Sequence, residues 1–192
     1  MGPKDVIIQT ALDIIGQEGV HKITTREIAK RANVNTAALN YHFGTKDRLV
    51  EQAMGVFIRE LAGTYAELER EELPMEERLL SFLQQFAAFS VRYPGVTKSL
   101  VDRMMWAEAG DPALAAAQRK GIERLTGALA IATGRTEPAE LRAAALQLMS
   151  GVLYPVLLHK QLPDLYGIDY AKAEEREAYV ERLYRRYVPG RH

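Results

Sequence analysis

Residues 23–49, ITTREIAKRANVNTAALNYHFGTKDRL, contain the most informative pattern in this sequence. Thr24 is a good N-cap residue and Glu27 follows it at the spacing of a capping box, so a helix is expected to begin here. Asn33 comes after the last apolar position, and asparagine tolerates the left-handed conformation beyond a helix end better than other non-glycine residues. Asn35 or the threonine after it can cap a second helix. The pattern therefore predicts a helix, a tight turn and another helix.

Two helices joined in this way form a helix-turn-helix, whose second helix enters the DNA major groove. The stretch also resembles the N-terminal DNA-binding domain of the TetR family of transcriptional regulators. The resemblance covers roughly the first fifty residues and rests on a combination of short pieces: Thr24–Ala29, Ala32 with Val34, and Asn40–Lys46 followed by Leu49. Two positions depart from the family's usual residues, since Asn33 stands in place of a glycine and Asn40 in place of a tyrosine.

The resemblance implies which residues contact DNA. On the second helix, Thr36 and Asn40 can form hydrogen bonds with base edges, and Ala37 can pack against a thymine methyl group. Residues at helix starts should contact phosphates without reading sequence. The alternative is a three-helix unit with no DNA role. The complete predicted set is Thr25, Arg26, Asn35, Thr36, Ala37, Asn40, Tyr41, His42 and Lys46.

Apolar periodicity and helix-ending residues predict an all-α chain of about nine helices. We expect a three-helix helix-turn-helix domain at residues 1–50 and a C-terminal helical bundle for ligand binding and dimerisation at residues 51–192. The fourth helix is expected to run from Thr45 toward Glu72, and residues 161–170 are expected to form a loop. Pro155 should bend its helix, because it frees a backbone carbonyl.

Charge alone does not indicate DNA binding. The chain has 25 basic and 25 acidic residues, although residues 1–50 carry seven basic and five acidic side chains, a net charge of +2. There is no cysteine, and no segment resembles a signal peptide or a membrane span, so we expect a cytoplasmic protein that does not contact membranes. The four histidines are scattered without the spacing of a metal or hydrolytic site. We therefore predict that the protein is not an enzyme and that it binds no metal ion and no cofactor.

The helix at residues 141–157 has heptad-like apolar spacing with small residues between the apolar ones, which allows another helix to approach closely. A tyrosine- and leucine-rich stripe follows on the last helix. TetR-family proteins use their last two long helices to form a four-helix bundle across a two-fold axis, so the resemblance implies a homodimer. The alternative is a contact within one chain. The predicted dimerisation residues are Leu141, Ala145, Leu148, Val152, Tyr179, Leu183 and Tyr187.

A second set of residues is a candidate ligand site. Aromatic residues recur at helical spacing between residues 82 and 93, and methionines and a tryptophan lie on later helices. Apolar cavities with few polar groups are the usual small-molecule sites, although such stripes also form ordinary cores. The predicted ligand-binding residues are Phe82, Gln85, Phe86, Phe89, Arg103, Trp106, Met149 and Tyr154.

Together these patterns predict a transcriptional regulator that binds double-stranded DNA as a homodimer. We expect a repressor that a small apolar or aromatic effector releases from a palindromic operator. The first alternative is a DNA-binding regulator without an effector, whose C-terminal domain only dimerises. The second is a helical small-molecule binder without DNA function.

Overall fold

The computed structural model of this chain describes residues 2–105 and 111–188, apart from the side chains of residues 103–105. The described residues form ten α-helices and two short 3₁₀ turns and contain no β-strand, which confirms the all-α prediction. The helices are α1 Pro3–Glu18, α2 Thr25–Ala32, α3 Thr36–Phe43, α4 Lys46–Ala66, α5 Met75–Arg92, α6 Pro94–Met105, α7 Pro112–Thr133, α8 Pro138–Leu157, α9 Leu162–Tyr166 and α10 Ala173–Tyr184.

Two elements differ from the sequence prediction. The short helix α9 lies inside the expected loop, where Leu162 is buried and Gly167 ends the helix in the left-handed conformation. Helix α4 ends at Ala66 instead of continuing toward Glu72, and a 3₁₀ turn at Glu67–Glu69 follows. This turn places Leu68 in the core and lets the Glu67 carboxylate accept a hydrogen bond from Ser81 at 2.9 Å. The sequence pattern gave no sign of these tertiary contacts.

The first compact unit contains residues 2–60 and 92–105. Helix α1 buries an apolar stripe that includes Ile7, Leu12 and Ile15, and it packs against both α2 and α6. Immediately before α6, the Tyr93 hydroxyl donates a 2.8 Å hydrogen bond to the Glu60 carboxylate of α4. Burial raises the pKa of Tyr93 to about 12, so this phenol remains a protonated donor at neutral pH.

The second compact unit contains residues 61–91 and 111–188. Tyr65 lies against Phe82 and Phe86, with ring centroids 4.8 and 6.0 Å away, and all three rings are buried. Helix α7 approaches this cluster through Gly121. The predicted domain boundary after residue 50 stays a prediction.

Pro155 lies within α8, which remains helical to Leu157. Proline has no N–H to donate to the carbonyl of Gly151. The Tyr179 hydroxyl of α10 donates to that carbonyl at 3.0 Å, and the Tyr170 hydroxyl donates to the next one, Val152, at 3.2 Å. Burial raises the pKa of both phenols, so both remain donors at neutral pH. Tyr179 thus satisfies the carbonyl that Pro155 frees.

Replacing Gly121 with alanine is expected to lower the free energy of unfolding by roughly 1–3 kcal/mol, the usual cost of overpacking. The new Cβ would lie 2.4 Å from Cζ of Tyr65, whose ring is enclosed by Phe82 and Phe86. Gly127 of the same helix provides the matched control, because its added Cβ would meet nothing within 4 Å. Gly127→Ala should stabilise the chain by up to about 1 kcal/mol through helix propensity. Equal stabilisation of both variants in urea denaturation would contradict the close approach.

Candidate nucleic-acid interface

Helix α2 begins at the predicted cap. The Thr24 hydroxyl accepts a hydrogen bond from the backbone N–H of Glu27 at 3.1 Å. The expected reciprocal arm of the capping box is replaced by another contact, since the Glu27 carboxylate accepts a 2.6 Å hydrogen bond from Arg31. Thr25 and Arg26 are therefore the first two helical residues, with Arg26 exposed.

The turn between α2 and α3 has the predicted geometry. Asn33 adopts φ 53° and ψ 45°, the left-handed conformation, and it is the single non-glycine residue with positive φ among those described. The next N–H, that of Val34, donates to the carbonyl of Ala29 at 3.0 Å and so closes the end of α2. The Asn35 side chain then accepts a 2.7 Å hydrogen bond from the N–H of Ala38, which makes Asn35 the cap of α3. This turn fixes the direction in which α3 leaves α2.

Helix α3 has a buried side and an exposed side. Leu39 and Phe43 are in the core. The opposite side exposes a hydroxyl, a methyl group, a carboxamide and a phenol, and the Tyr41 side chain is 86% exposed. His42 is half-buried, with its ring centroid 5.2 Å from that of Tyr41 in an edge-on arrangement. The exposed residues are Thr36, Ala37, Asn40 and Tyr41.

The start of α4 completes the exposed edge. Gly44 has φ 71°, and the Thr45 hydroxyl accepts a 3.3 Å hydrogen bond from the N–H of Arg48, so Thr45 caps the helix. Lys46 is the first residue of α4 and is exposed. A cation at this position lies beside backbone N–H groups that have no partner within the helix, an arrangement suited to holding a phosphate.

The basic residues of the first unit fall into two groups. Arg31 forms salt bridges with Glu18 of α1 and Glu27 of α2, both at 2.6 Å. Hydrogen bonds with Glu27 and Glu18 raise the pKa of Arg31, and its charge is therefore engaged in joining α1 to α2. Arg26 and Lys46 form no salt bridge with any described residue, so their charges are available to phosphates. The structural role of Arg31 was not predicted, because Glu18 is 13 residues away and precedes α2.

The predicted ligand-binding residues of the second unit are divided between its core and its surface. Phe82 and Phe86 are core residues, whereas Gln85 is exposed and donates to Ser81 at 3.3 Å. A cavity of about 290 Å³ on the second unit is lined by other residues, among them Ile168 and Arg182. The remaining predicted residues are Phe89 and Met149, both half-buried, Tyr154, which is 54% exposed, and Trp106 and the Arg103 side chain, which lie outside the described residues.

The predicted dimerisation residues are divided between two environments. Four from α8 are already buried within the chain, where α8 packs against α7 and α10. Three near the C-terminus are half-buried, and two of these donate hydrogen bonds to α8: Tyr179 to Gly151 and Tyr187 to the Gln147 side chain at 3.1 Å. The buried residues are Leu141, Ala145, Leu148 and Val152; the half-buried residues are Tyr179, Leu183 and Tyr187.

In the described part of the chain, no helix is both long and apolar enough to cross a bilayer. Within the same residues, no three histidine or acidic side chains are grouped so that they could hold a metal ion.

The region that contains the helix-turn-helix is similar to a known family of proteins. The family described as bacterial regulatory proteins, tetR family, matches residues 7–53. The HTH-type transcriptional repressor KstR2 of Mycolicibacterium smegmatis is 29% identical over 94 residues, 48% of this chain and 46% of that protein. The nucleoid occlusion factor SlmA of Vibrio atlanticus is 33% identical over 98 residues, 50% of each chain. This chain thus spans about half the length of the curated relatives it matches.

The fold is similar over a greater length. A TetR-like transcriptional regulator from Rhodococcus sp. RHA1 superposes with a TM-score of 0.69, covering 98% of this chain and 97% of that one at 17% identity. At this identity the likeness extends to the fold, including the helical second unit.

Proposed function

The chain belongs to the TetR family of bacterial regulatory proteins, and from this premise we propose that it is a sequence-specific DNA-binding transcriptional regulator. The observation that carries the proposal is the exposed face of α3, held between a capped start and a closed turn. Beside it are Arg26 and Lys46, which form no salt bridge with any residue that the structure describes. A rigid helix that displays hydrogen-bonding groups between phosphate-binding cations has the features of a major-groove reader. No catalytic role is needed to account for these residues.

In this proposal α3 lies in the major groove. Thr36 and Asn40 form hydrogen bonds with base edges, and Ala37 packs against a thymine methyl group. The carboxamide oxygen of Asn35 is already used to cap α3, so its N–H₂ group is the part left to contact DNA. Tyr41 approaches the phosphate backbone at the edge of the groove. Thr25, Arg26 and Lys46 at the helix starts, together with His42 near the end of α3, contact phosphates and position the domain.

This division of roles predicts different effects for two substitutions. Asn40→Ala should change which sequences are enriched from a random duplex pool, because it removes a base interaction worth about 1–3 kcal/mol at particular positions. Lys46→Ala should leave the enriched sequence unchanged, weaken binding to all duplexes alike and reduce the salt dependence by about 0.9 per phosphate contact. Each variant serves as the control for the other. A uniform loss of affinity for both, with unchanged sequence preference, would contradict the division.

We further propose that the protein acts as a homodimer on a palindromic operator. One side of helix α8 is buried in the chain, and the other exposes Leu146 by 69% and Tyr154 by 54%, with the uncharged Gln147 and Ser150 between them. No charged residue occurs between Arg142 and Leu157, so two copies of this side can approach each other without burying a charge there. A second copy of the same face would cover it. Two recognition helices then contact half-sites about 34–36 Å apart, one turn of DNA.

A repressor released by a small apolar or aromatic effector is the proposed mode of regulation. The proposed effector site is the cluster of Tyr65, Phe82 and Phe86, of which Phe82 and Phe86 belong to the predicted ligand-binding residues. Tyr65 lies on α4, and the first part of the same helix carries Lys46. An effector that separates these rings would move α4 and favour a conformation in which the recognition helices no longer match the operator.

One observation favours a second candidate function, a regulator whose C-terminal region only dimerises. The three rings are already in mutual contact, with centroids 4.8–6.0 Å apart, so an effector would have to displace packed side chains. A panel of apolar and aromatic compounds distinguishes the two functions. Release of the operator by any of them supports the effector, and Tyr65→Leu should then alter the concentration required. Failure of all of them at saturating concentration favours the second candidate.

A further inference from the structure

Lys4, in the first turn of α1, has a contact that the proposed interface does not use. Its ammonium nitrogen lies 5.9 Å from the centroid of the Phe43 ring, at the last residue of the recognition helix. We propose that Lys4 is an additional phosphate ligand, which joins α1 to the DNA backbone beside the C-terminal end of α3. This inference rests on the proposed DNA-binding function.

Two physical effects hold the ammonium group at this point. A cation over an aromatic face is attracted by the negative charge of the ring's π-system, and the C-terminal end of a helix carries a partial negative charge. Phe43 is only 4% exposed, so the core holds its ring in place and the ring provides a fixed contact for the Lys4 ammonium group. The ring contacts one side of the ammonium, and the N–H groups on the other side remain available as donors.

The charge of Lys4 is not neutralised by its surroundings. Its acidic neighbour, Asp5, accepts a 2.9 Å hydrogen bond from the backbone N–H of Gly2. Lys4 is exposed and forms no salt bridge to any residue that the structure describes. A lysine in the first turn of a helix is also unfavourable for that helix, whose N-terminal end is positive. A phosphate partner would compensate for this placement.

The position of Lys4 favours a phosphate over a base. Recognition helices of this type read bases with their N-terminal residues, whereas Lys4 lies at the other end of α3. Phe43 is also followed by Gly44 and by the start of α4. Lys46 at that start is proposed to contact the phosphate backbone of the DNA. Lys4 would therefore contribute affinity and salt dependence without altering sequence preference.

The test measures binding of the full chain to a mixed-sequence 30-base-pair duplex over a series of KCl concentrations. Lys4→Met removes the charge and keeps an unbranched side chain. For each phosphate that Lys4 neutralises, we expect this variant to lower the slope of log K against log salt by about 0.9 and the affinity at 0.1 M salt on the order of tenfold. Lys160→Met, an exposed lysine after α8, removes the same charge from another part of the chain and should leave the slope unchanged. Lys4→Arg should preserve it.

The possible results separate the inference from the function on which it rests. An unchanged slope in Lys4→Met, or an equal decrease in Lys4→Met and Lys160→Met, would overturn the role of Lys4 while leaving the regulator intact. If the wild-type chain fails to bind any duplex even at low salt, the proposed function itself is overturned. Circular dichroism of each variant shows whether the helices are retained, and Lys4→Arg excludes loss of folding at this position as the cause.

Discussion

Gly95→Ala is expected to lower the free energy of unfolding by roughly 1–3 kcal/mol and to weaken DNA binding. The added Cβ would lie 2.7 Å from the carbonyl oxygen of Ile15 and 2.7 Å from the backbone nitrogen of Gly19. These are backbone atoms at the end of α1, which cannot rotate away as a flexible side chain can. Alanine therefore forces α6 away from α1, and this cost exceeds the gain of up to about 1 kcal/mol from helix propensity.

The effect on DNA binding follows from the role of α1 as a support. Helix α1 is joined to α2 by the Glu18–Arg31 salt bridge and buries the apolar side of the helix-turn-helix. Gly55→Ala, in α4 of the same compact unit, is the matched control, because its Cβ would meet the nearest side-chain atom, from Arg59, at an ordinary 3.6 Å. Thermal unfolding and duplex binding of both variants provide the comparison. Wild-type stability in Gly95→Ala would show that α6 does not approach α1 as closely as described.

Leu146→Glu is expected to dissociate the proposed dimer. The side chain is 69% exposed in the single chain, so the substitution costs the monomer little. In a two-fold interface it places two unpaired carboxylates in an apolar contact, at a cost on the order of 3 kcal/mol or more. That corresponds to at least a hundredfold increase in the dimer dissociation constant. The affinity for the operator should also fall, because a monomer contacts only one half-site and therefore binds more weakly than a dimer.

The control for this substitution is Ile122→Glu on α7, where the isoleucine is 46% exposed and the same charge is introduced outside the α8 face. Sedimentation equilibrium of both variants measures the monomer–dimer distribution. The proposal expects a dimer for the wild type and Ile122→Glu, and a monomer for Leu146→Glu. A dimer that survives Leu146→Glu would place the interface on another surface.

Local signals allowed the helix-turn-helix to be predicted in detail. Capping by Thr24 and Asn35 and the left-handed conformation of Asn33 depend on side chains interacting with backbone groups within three residues, so residue type and spacing are sufficient. The buried side of α1 could be predicted from its periodicity alone. The exposed side of α3 follows in the same way, because Leu39 and Phe43 fix which side is buried.

Long-range contacts and the choice between two apolar sides were not available from the sequence. Helix α8 is apolar around most of its circumference, and periodicity gave no reason to place Leu148 inside the chain and Leu146 on its surface. The partner of the carbonyl freed by Pro155 is Tyr179, 28 residues beyond the accepting Gly151. The aromatic stripe of α5 was equally compatible with a cavity or a core. All three features depend on which helices pack against each other. The spacing of residues along one helix does not determine which helices are in contact.

The central claim is that α3 reads specific DNA sequences from a homodimer. It is tested most directly by selecting bound duplexes from a random pool with the purified wild-type chain and sequencing them. We expect enrichment of a palindrome with half-sites one helical turn apart, about 34–36 Å, and this enrichment should persist as salt is raised until binding is lost. A folded, dimeric protein that enriches no sequence at any salt concentration would contradict it.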